Sequence, residues 1–182
     1  MATKISNMKS LPASEMRKKA RNSIEWLKEK LGGKNKNMEN DRFRIGGLFF
    51  FTYDPKGKDK LPYYDRFPLV IPLEMYPDGF LGLNLHYLPV DYRMAFLGKL
   101  QDYAVQGASG EMMSLRVSYD ILNASRGVRE FKPCLKRYLH GHVMSKMVAV
   151  PPDEWDNAVL LPVQSFVKAS ASQVWQESLE KI

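Results

Sequence analysis

A single cysteine, Cys134, stands among 182 residues. One thiol excludes an internal disulfide and any cysteine-based zinc site, and it fits a reducing compartment. No apolar run approaches the ~18 residues that a membrane helix needs, and the N-terminus is charged rather than signal-like. The expectation is a soluble, unsecreted protein. The chain lacks a G-x-G-x-x-G, a P-loop, a G-x-S-x-G and an H-E-x-x-H, so the common phosphate-cradling, acyl-transfer and zinc-protease chemistries have no local signature. It also lacks an internal repeat of solenoid length. Histidine is scarce, with three in all. His140 and His142 lie two apart and would not share a face of a helix, which makes them a weak metal pair. His86 reads as a hydrogen-bonded structural residue. Cys134 with His140 would make a nucleophile and base only if the fold brought them together. Asp153, Glu154 and Asp156 look like a capped turn rather than a glycosidase pair. No cofactor or metal is expected, and enzymatic activity is not.

Net charge is nearly absent from most of the chain. Residues 45–182 carry 15 Lys/Arg and 15 Asp/Glu, whereas residues 1–44 carry 12 against 5 and hold the whole +7. Basic arms of this kind bind nucleic acid or an acidic partner, or keep a segment solvated. Aromatics interleave with basic residues at Tyr63, Tyr64, Arg66 and Phe67, a pattern that can stack on single-stranded nucleic acid. The neutral balance of residues 45–182 argues against a long positive groove there. DNA binding is therefore expected to be weak at most.

What the chain does contain is a hydrophobic content of 45%, of which aromatics make up 12 points, enough to bury a core. Its centre is LVIPLEMYPDGFLGLNLHYL, from Leu69 to Leu88. Two apolar runs flank Pro77-Asp78-Gly79, which predicts a hairpin with a three- or four-residue loop and Gly79 at positive φ. Leu81, Leu83, Leu85 and Tyr87 fall on one strand face; Gly82, Asn84 and His86 fall on the other. Pro72 removes a donor, so its strand should be an edge or carry a bulge. Further strands are expected at 48–53, 146–150 and 159–166. Leu61 to Pro68 reads as a packed aromatic corner whose polar tips need partners, and less readily as a binding surface.

Helical spacing marks several segments. Residues 1–13 read as polar and extended. Ser14 looks like a cap, and Met16, Ala20, Ile24, Leu27 and Leu31 form a stripe with Trp26 at its margin. Gly32-Gly33 closes that helix, and 33–42 is a polar linker. Arg17, Lys18, Arg21 and Lys28 line the opposite face. A second helix follows Pro89, with Tyr92, Ala95, Phe96, Leu100 and Tyr103 as its stripe, and a Gly/Ser loop runs from 106 to 110. Met113 to Leu122 fits either a strand or a helix, and 123–130 is turn-like. Leu135, Tyr138, Leu139, His142 and Val143 predict a helix over 131–147. Ser170 and Gln173 have the spacing of a capping box, and Val174, Trp175 and Leu179 give the stripe of a terminal helix ending at Ile182.

The expected fold is α+β: a small bent sheet or partly closed barrel with inserted helices and helical arms at both ends. The boundaries are a basic helical arm and linker at 1–44, a β-centred core at 45–169 and a C-terminal helix at 170–182. Candidate partner-binding residues are Arg17, Lys18, Arg21, Trp26, Tyr64, Arg66, Trp175 and Leu179.

Four segments resemble a family of small virion proteins of large contractile-tailed bacteriophages, the myoviruses: Gly46 to Glu74, Asp78 to Pro89, Phe131 to Lys146, and Pro151 to Pro162. The likeness runs in order from about Gly46 to Trp175 and leaves the N-terminal arm outside. Some members are labelled virion structural proteins and others DNA end protectors. The resemblance implies a structural role in the particle and brings no catalytic residues with it. The leading expectation is a non-enzymatic tail or baseplate protein, assembled in the host cytoplasm, that acts through contacts with other virion proteins. The alternative is a DNA-associated protein at the head–tail junction that guards the packaged DNA end.

Overall fold

The computed structural model describes residues 5–8, 11–31, 43–106, 129–161 and 163–181. At its centre is a five-stranded antiparallel sheet. Its strands are β1 (Leu48–Phe50), β3 (Leu69–Tyr76), β4 (Gly79–Asn84), β5 (Leu135–Leu139) and β6 (Val148–Val150), in the order β5-β4-β3-β1-β6. A separate two-stranded ribbon pairs β2 (Tyr64–Asp65) with β7 (Phe166–Val167). The sheet is open rather than closed into a barrel, and the α+β class holds.

The hairpin forms where Pro77 and Asp78 predict it, but the loop is these two residues alone, because Tyr76 already pairs with Gly79. The register slips between Pro72 and Glu74. Pro72 lies in a central strand, so its missing donor is accommodated by the bulge, and its carbonyl accepts from Gly46 N at 2.9 Å. Gly79 is not at positive φ; among the described glycines that conformation belongs to Gly46 and Gly57. Close approach of the β4 and β5 backbones requires glycine instead. A Cβ on Gly79 would lie 1.9 Å from the Tyr138 carbonyl oxygen and 2.9 Å from Leu139 Cα. Both atoms are backbone and cannot swing aside, so Gly79→Val should cost about 3 kcal/mol in denaturant unfolding. A loss under half a kcal/mol would mean that β5 is not seated on β4.

Each face of the sheet carries its own apolar cluster. Leu69, Ile71, Leu83 and Phe50 belong to the larger core, which the helices cover; Phe49, Phe51, Val70, Phe80 and Tyr138 form a smaller aromatic layer on the other side. The expected strand to Leu88 stops at Asn84, whose side chain accepts from His86 N at 3.0 Å and caps a 3-10 turn over Leu85–Tyr87. A helix over 131–147 does not form. A 3-10 turn containing Pro133 leads into β5, and another turn covers His140–His142. The three- and four-residue spacing there is met by pairing on β4, which sets Tyr138 against Phe80 with ring centroids 5.2 Å apart. The expected strand over 159–166 is also replaced. Trp155, Ala158 and Val159 are buried at helical spacing in α4 (Trp155–Leu160), and only Phe166 and Val167 are strand.

The first residues are not extended. Ile5 and Met8 are fully buried in α1 (Ile5–Met8), and Ile5 N donates to Gln101 Oε1 at 3.0 Å. Gln101 lies on α3 (Val90–Gln106), the helix expected after Pro89. Its buried face is Arg93, Met94, Phe96, Leu97 and Leu100, while Tyr92 is exposed. In α2 (Ala13–Leu31) the buried residues are Ser23 and Leu27, with Met16, Ala20 and Trp26 half-buried; Ile24 and Leu31 are exposed. The stripe is rotated from the expected one, and its inner side also carries Lys19 and Lys30, which reach Asp156 and Glu154. The last helix, α5 (Ala171–Glu180), starts at the expected cap: Ser170 Oγ accepts from Gln173 N at 3.2 Å. The Gly32-Gly33 cap, the 33–42 linker, the 107–110 loop, the 113–122 segment, the turn over 123–128 and Ile182 lie outside the described residues, as does the side chain of Tyr103.

Candidate nucleic-acid interface

The basic face of α2 is built by helical periodicity. Arg17, Lys18, Arg21 and Lys28 are exposed. The other two lysines of the helix dock it on the domain. Lys19 reaches Asp156 at 3.5 Å, and Lys30 reaches Glu154 at 2.7 Å while lying over the Trp26 ring. Half-buried Trp26 thus serves the packing of α2 on the domain. Lys28 pairs with Glu25 at 2.9 Å, an exposed pair of little energetic weight. The acids of the 153–156 turn therefore answer the inward cations, leaving Arg17, Lys18 and Arg21 together on the outer surface.

The aromatic corner is organised by Asp65. Its Oδ1 accepts from Phe67 N and Ser165 N, each at 3.1 Å. Its Oδ2 accepts from Asn84 Nδ2 at 3.2 Å and from His86 Nδ1 at 2.7 Å. Burial would raise this carboxyl, but the His86 partner and the other donors outweigh it and hold Asp65 below the usual carboxylate range. Complete burial lowers His86, so the imidazole is neutral with its proton on Nδ1, toward Asp65. Beneath it, Arg93 is fully buried; burial lowers its guanidinium to about 10, which still leaves it charged at neutral pH. Arg93 Nε donates to the Leu88 carbonyl at 2.7 Å, and its ring partner is Trp175, 5.4 Å from the centroid. Trp175 Nε1 in turn donates to the His86 carbonyl at 2.8 Å.

Around this corner opens a cavity of about 260 Å³. Its wall includes Tyr53, Tyr63, Tyr64, Tyr87, Tyr138 and Lys136. Tyr53 Oη accepts from Leu139 N at 3.1 Å, Tyr138 packs on the Phe80 and Tyr53 rings, and Tyr63 packs on Tyr87 and Phe166. The rings are therefore held in place as fixed surfaces.

Of the residues singled out in the sequence, Tyr64 lies in this wall, and Arg66 is exposed beside it, its backbone N donating to Ser165 O. Arg17, Lys18 and Arg21 form the separate α2 surface. Trp175 lies under the corner, and Leu179 is exposed on α5. Lys136, Tyr87 and Arg93 carry no local signal of their place here. The spacing around Lys136 is helical, Tyr87 falls in an apolar run, and Arg93 has no sequence neighbour to suggest burial. Elsewhere, His142 Nδ1 donates to Asp54 O at 2.7 Å, and His140 is exposed. Among the described residues no group of His, Cys, Asp and Glu has the makings of a metal site. Burial pushes the Cys134 thiol up to about 12, so it carries no thiolate at neutral pH. No described helix is long and apolar enough to cross a membrane.

No curated protein and no solved structure matches the chain. A protein family does, over residues 4–178, and its description is phage T4 terminal DNA protecting protein. The match takes in α1 and α2, so the basic segment lies inside the family's extent and not outside it. The chain belongs to the phage T4 terminal DNA protecting protein family.

Proposed function

We propose that this chain is a non-enzymatic virion protein that sits on the ends of packaged phage DNA at the head–tail junction. The observation that carries this reading is the family match across residues 4–178, which includes the segment holding the entire net charge. It favours the DNA-end alternative over the tail or baseplate role. On this reading Arg17, Lys18 and Arg21 contact backbone phosphates, which position a protein on DNA without reading its sequence. Exposed Leu179 on α5 is then available to a neighbouring virion protein.

Duplex binding by the full chain should fall steeply with salt. The triple variant Arg17→Ala, Lys18→Ala, Arg21→Ala should flatten the slope of log K against log salt by about 2.7, near 0.9 for each phosphate left without its cation. Fluorescence anisotropy across a salt series checks this. Salt-independent binding, or none at low salt, would return the tail or baseplate role to first place.

A further inference from the structure

The cavity of about 260 Å³ beside the Asp65 corner has a composition that phosphate binding by α2 does not use. It lies just below the ~300–1,000 Å³ range of small-molecule sites, which suits at most one nucleotide and excludes an intact base pair with both backbones. Lys136 lines it. Among the described residues no carboxylate pairs with that ammonium; its neighbour is the Tyr87 ring, 4.1 Å from the centroid. Burial lowers the lysine, and nearby Lys181 lowers it further. Asp65 also lines the cavity, but its carboxylate is taken up by four donors, so the half-buried Lys136 ammonium, paired with no carboxylate among the described residues, is a site for an incoming anion. Tyr63 and Tyr64, half-buried in the same wall, offer aromatic faces. Aromatic faces stack on any base, so such a site is indifferent to sequence.

Resting on the DNA-end reading, we infer that this cavity receives the unpaired terminal nucleotide of the DNA, its base stacked on the Tyr63–Tyr64 wall and its phosphate against Lys136. Geometry then separates an end from the interior of a duplex. An interior nucleotide must be unpaired and unstacked on both sides before it can enter, whereas a single-stranded terminal one is already free. The α2 face binds any duplex; the cavity recognises where it stops.

The test uses the full chain and two DNAs of one sequence: a duplex with 5′-phosphorylated overhangs, and the same duplex closed by hairpin loops at both ends. Wild type should prefer the open form about tenfold. Lys136→Met, which keeps the length and apolar stem of the side chain, should abolish most of that ratio, and Lys136→Arg should restore it. Tyr64→Leu supplies an independent variant should Lys136→Met fail to fold. A titration of wild type with a deoxynucleoside monophosphate, followed by tyrosine ring resonances, should shift those of Tyr63 and Tyr64. Inorganic phosphate should compete far more weakly than the nucleotide. A wild-type ratio of one would refute the DNA-end reading itself. An undiminished ratio in folded Lys136→Met and Tyr64→Leu, or equal competition by inorganic phosphate, would overturn the cavity's role and leave the DNA-end reading standing.

Discussion

Asp65→Ala should destabilise the protein by about 3–5 kcal/mol, a large part of the ~5–15 kcal/mol that holds a typical domain together. The carboxylate accepts four hydrogen bonds, from Phe67 N, Ser165 N, Asn84 Nδ2 and His86 Nδ1. Alanine leaves those buried donors without an acceptor, and unmade bonds cost more than made ones contribute. It also strands the buried charge of Arg93, for which Asp65 is the compensating anion. Asp65→Asn should recover little, because its amide presents N–H groups to donors. Denaturant unfolding checks both. The same centre sets a pH dependence. His86 is lowered in the folded state, so the unfolded chain takes up a proton first, near the ordinary value of about 6.5, and stability declines as pH falls below that. Asp65 is also lowered, so its contribution is present above its ordinary value of about 3.9 and is lost as pH falls through its folded value. Both groups act in one direction: wild type should melt at lower temperature at pH 5 than at pH 7. His86→Gln should lose the upper part of that dependence. A melting temperature flat from pH 7 to pH 4 would show that the pair is not buried as described.

The features legible in the sequence are those with local causes. Pro77-Asp78 makes its turn from its own backbone preferences, Pro72 forces a bulge by lacking a donor, and Ser170 caps α5 three residues before Gln173. The features that the sequence hides depend on distant partners. Leu135, Tyr138 and Leu139 have helical spacing, yet they form a strand because β4 offers an unpaired edge with Gly79 and Gly82 on it. The face that α2 buries cannot be read from its apolar residues. Lys19 and Lys30 lie on its inner side, paired with Asp156 and Glu154 more than 120 residues away, while Ile24 and Leu31 lie outward. The candidate site shows the same division. Tyr64 and Arg66 stand out as an aromatic–basic pair, but the Asp65–His86 bond joins the β2 corner to the turn after β4. Lys136 enters the cavity wall only once β5 is recognised as a strand.

Ending the chain at Ala169 should lower the melting temperature of the isolated protein by about 10 °C. The helix removed, α5, buries Val174 and Ser178 completely or nearly so. Its Trp175 covers Arg93 and donates to the His86 carbonyl. Burying apolar side chains such as Val174 contributes about 1.5–3 kcal/mol each, and the half-buried Trp175 adds its own contacts. Losing α5 should therefore cost about 4 kcal/mol, at roughly 2–4 °C per kcal/mol for a protein of this length. Truncation also uncovers the Asp65 corner, so the cavity should loosen with it. Trp175→Phe separates the two effects in part: an aromatic ring stays over Arg93, while the indole N–H and some packing area are lost, for about 1–2 kcal/mol. Leu179→Ala, on the exposed side of α5, should leave the melting temperature within a degree or two. If that variant nonetheless fails to enter particles, the outer face of α5 docks a neighbouring subunit while its inner face holds the corner. A truncated protein that melts like the full chain would instead assign the whole helix, Trp175 included, to a partner in the virion.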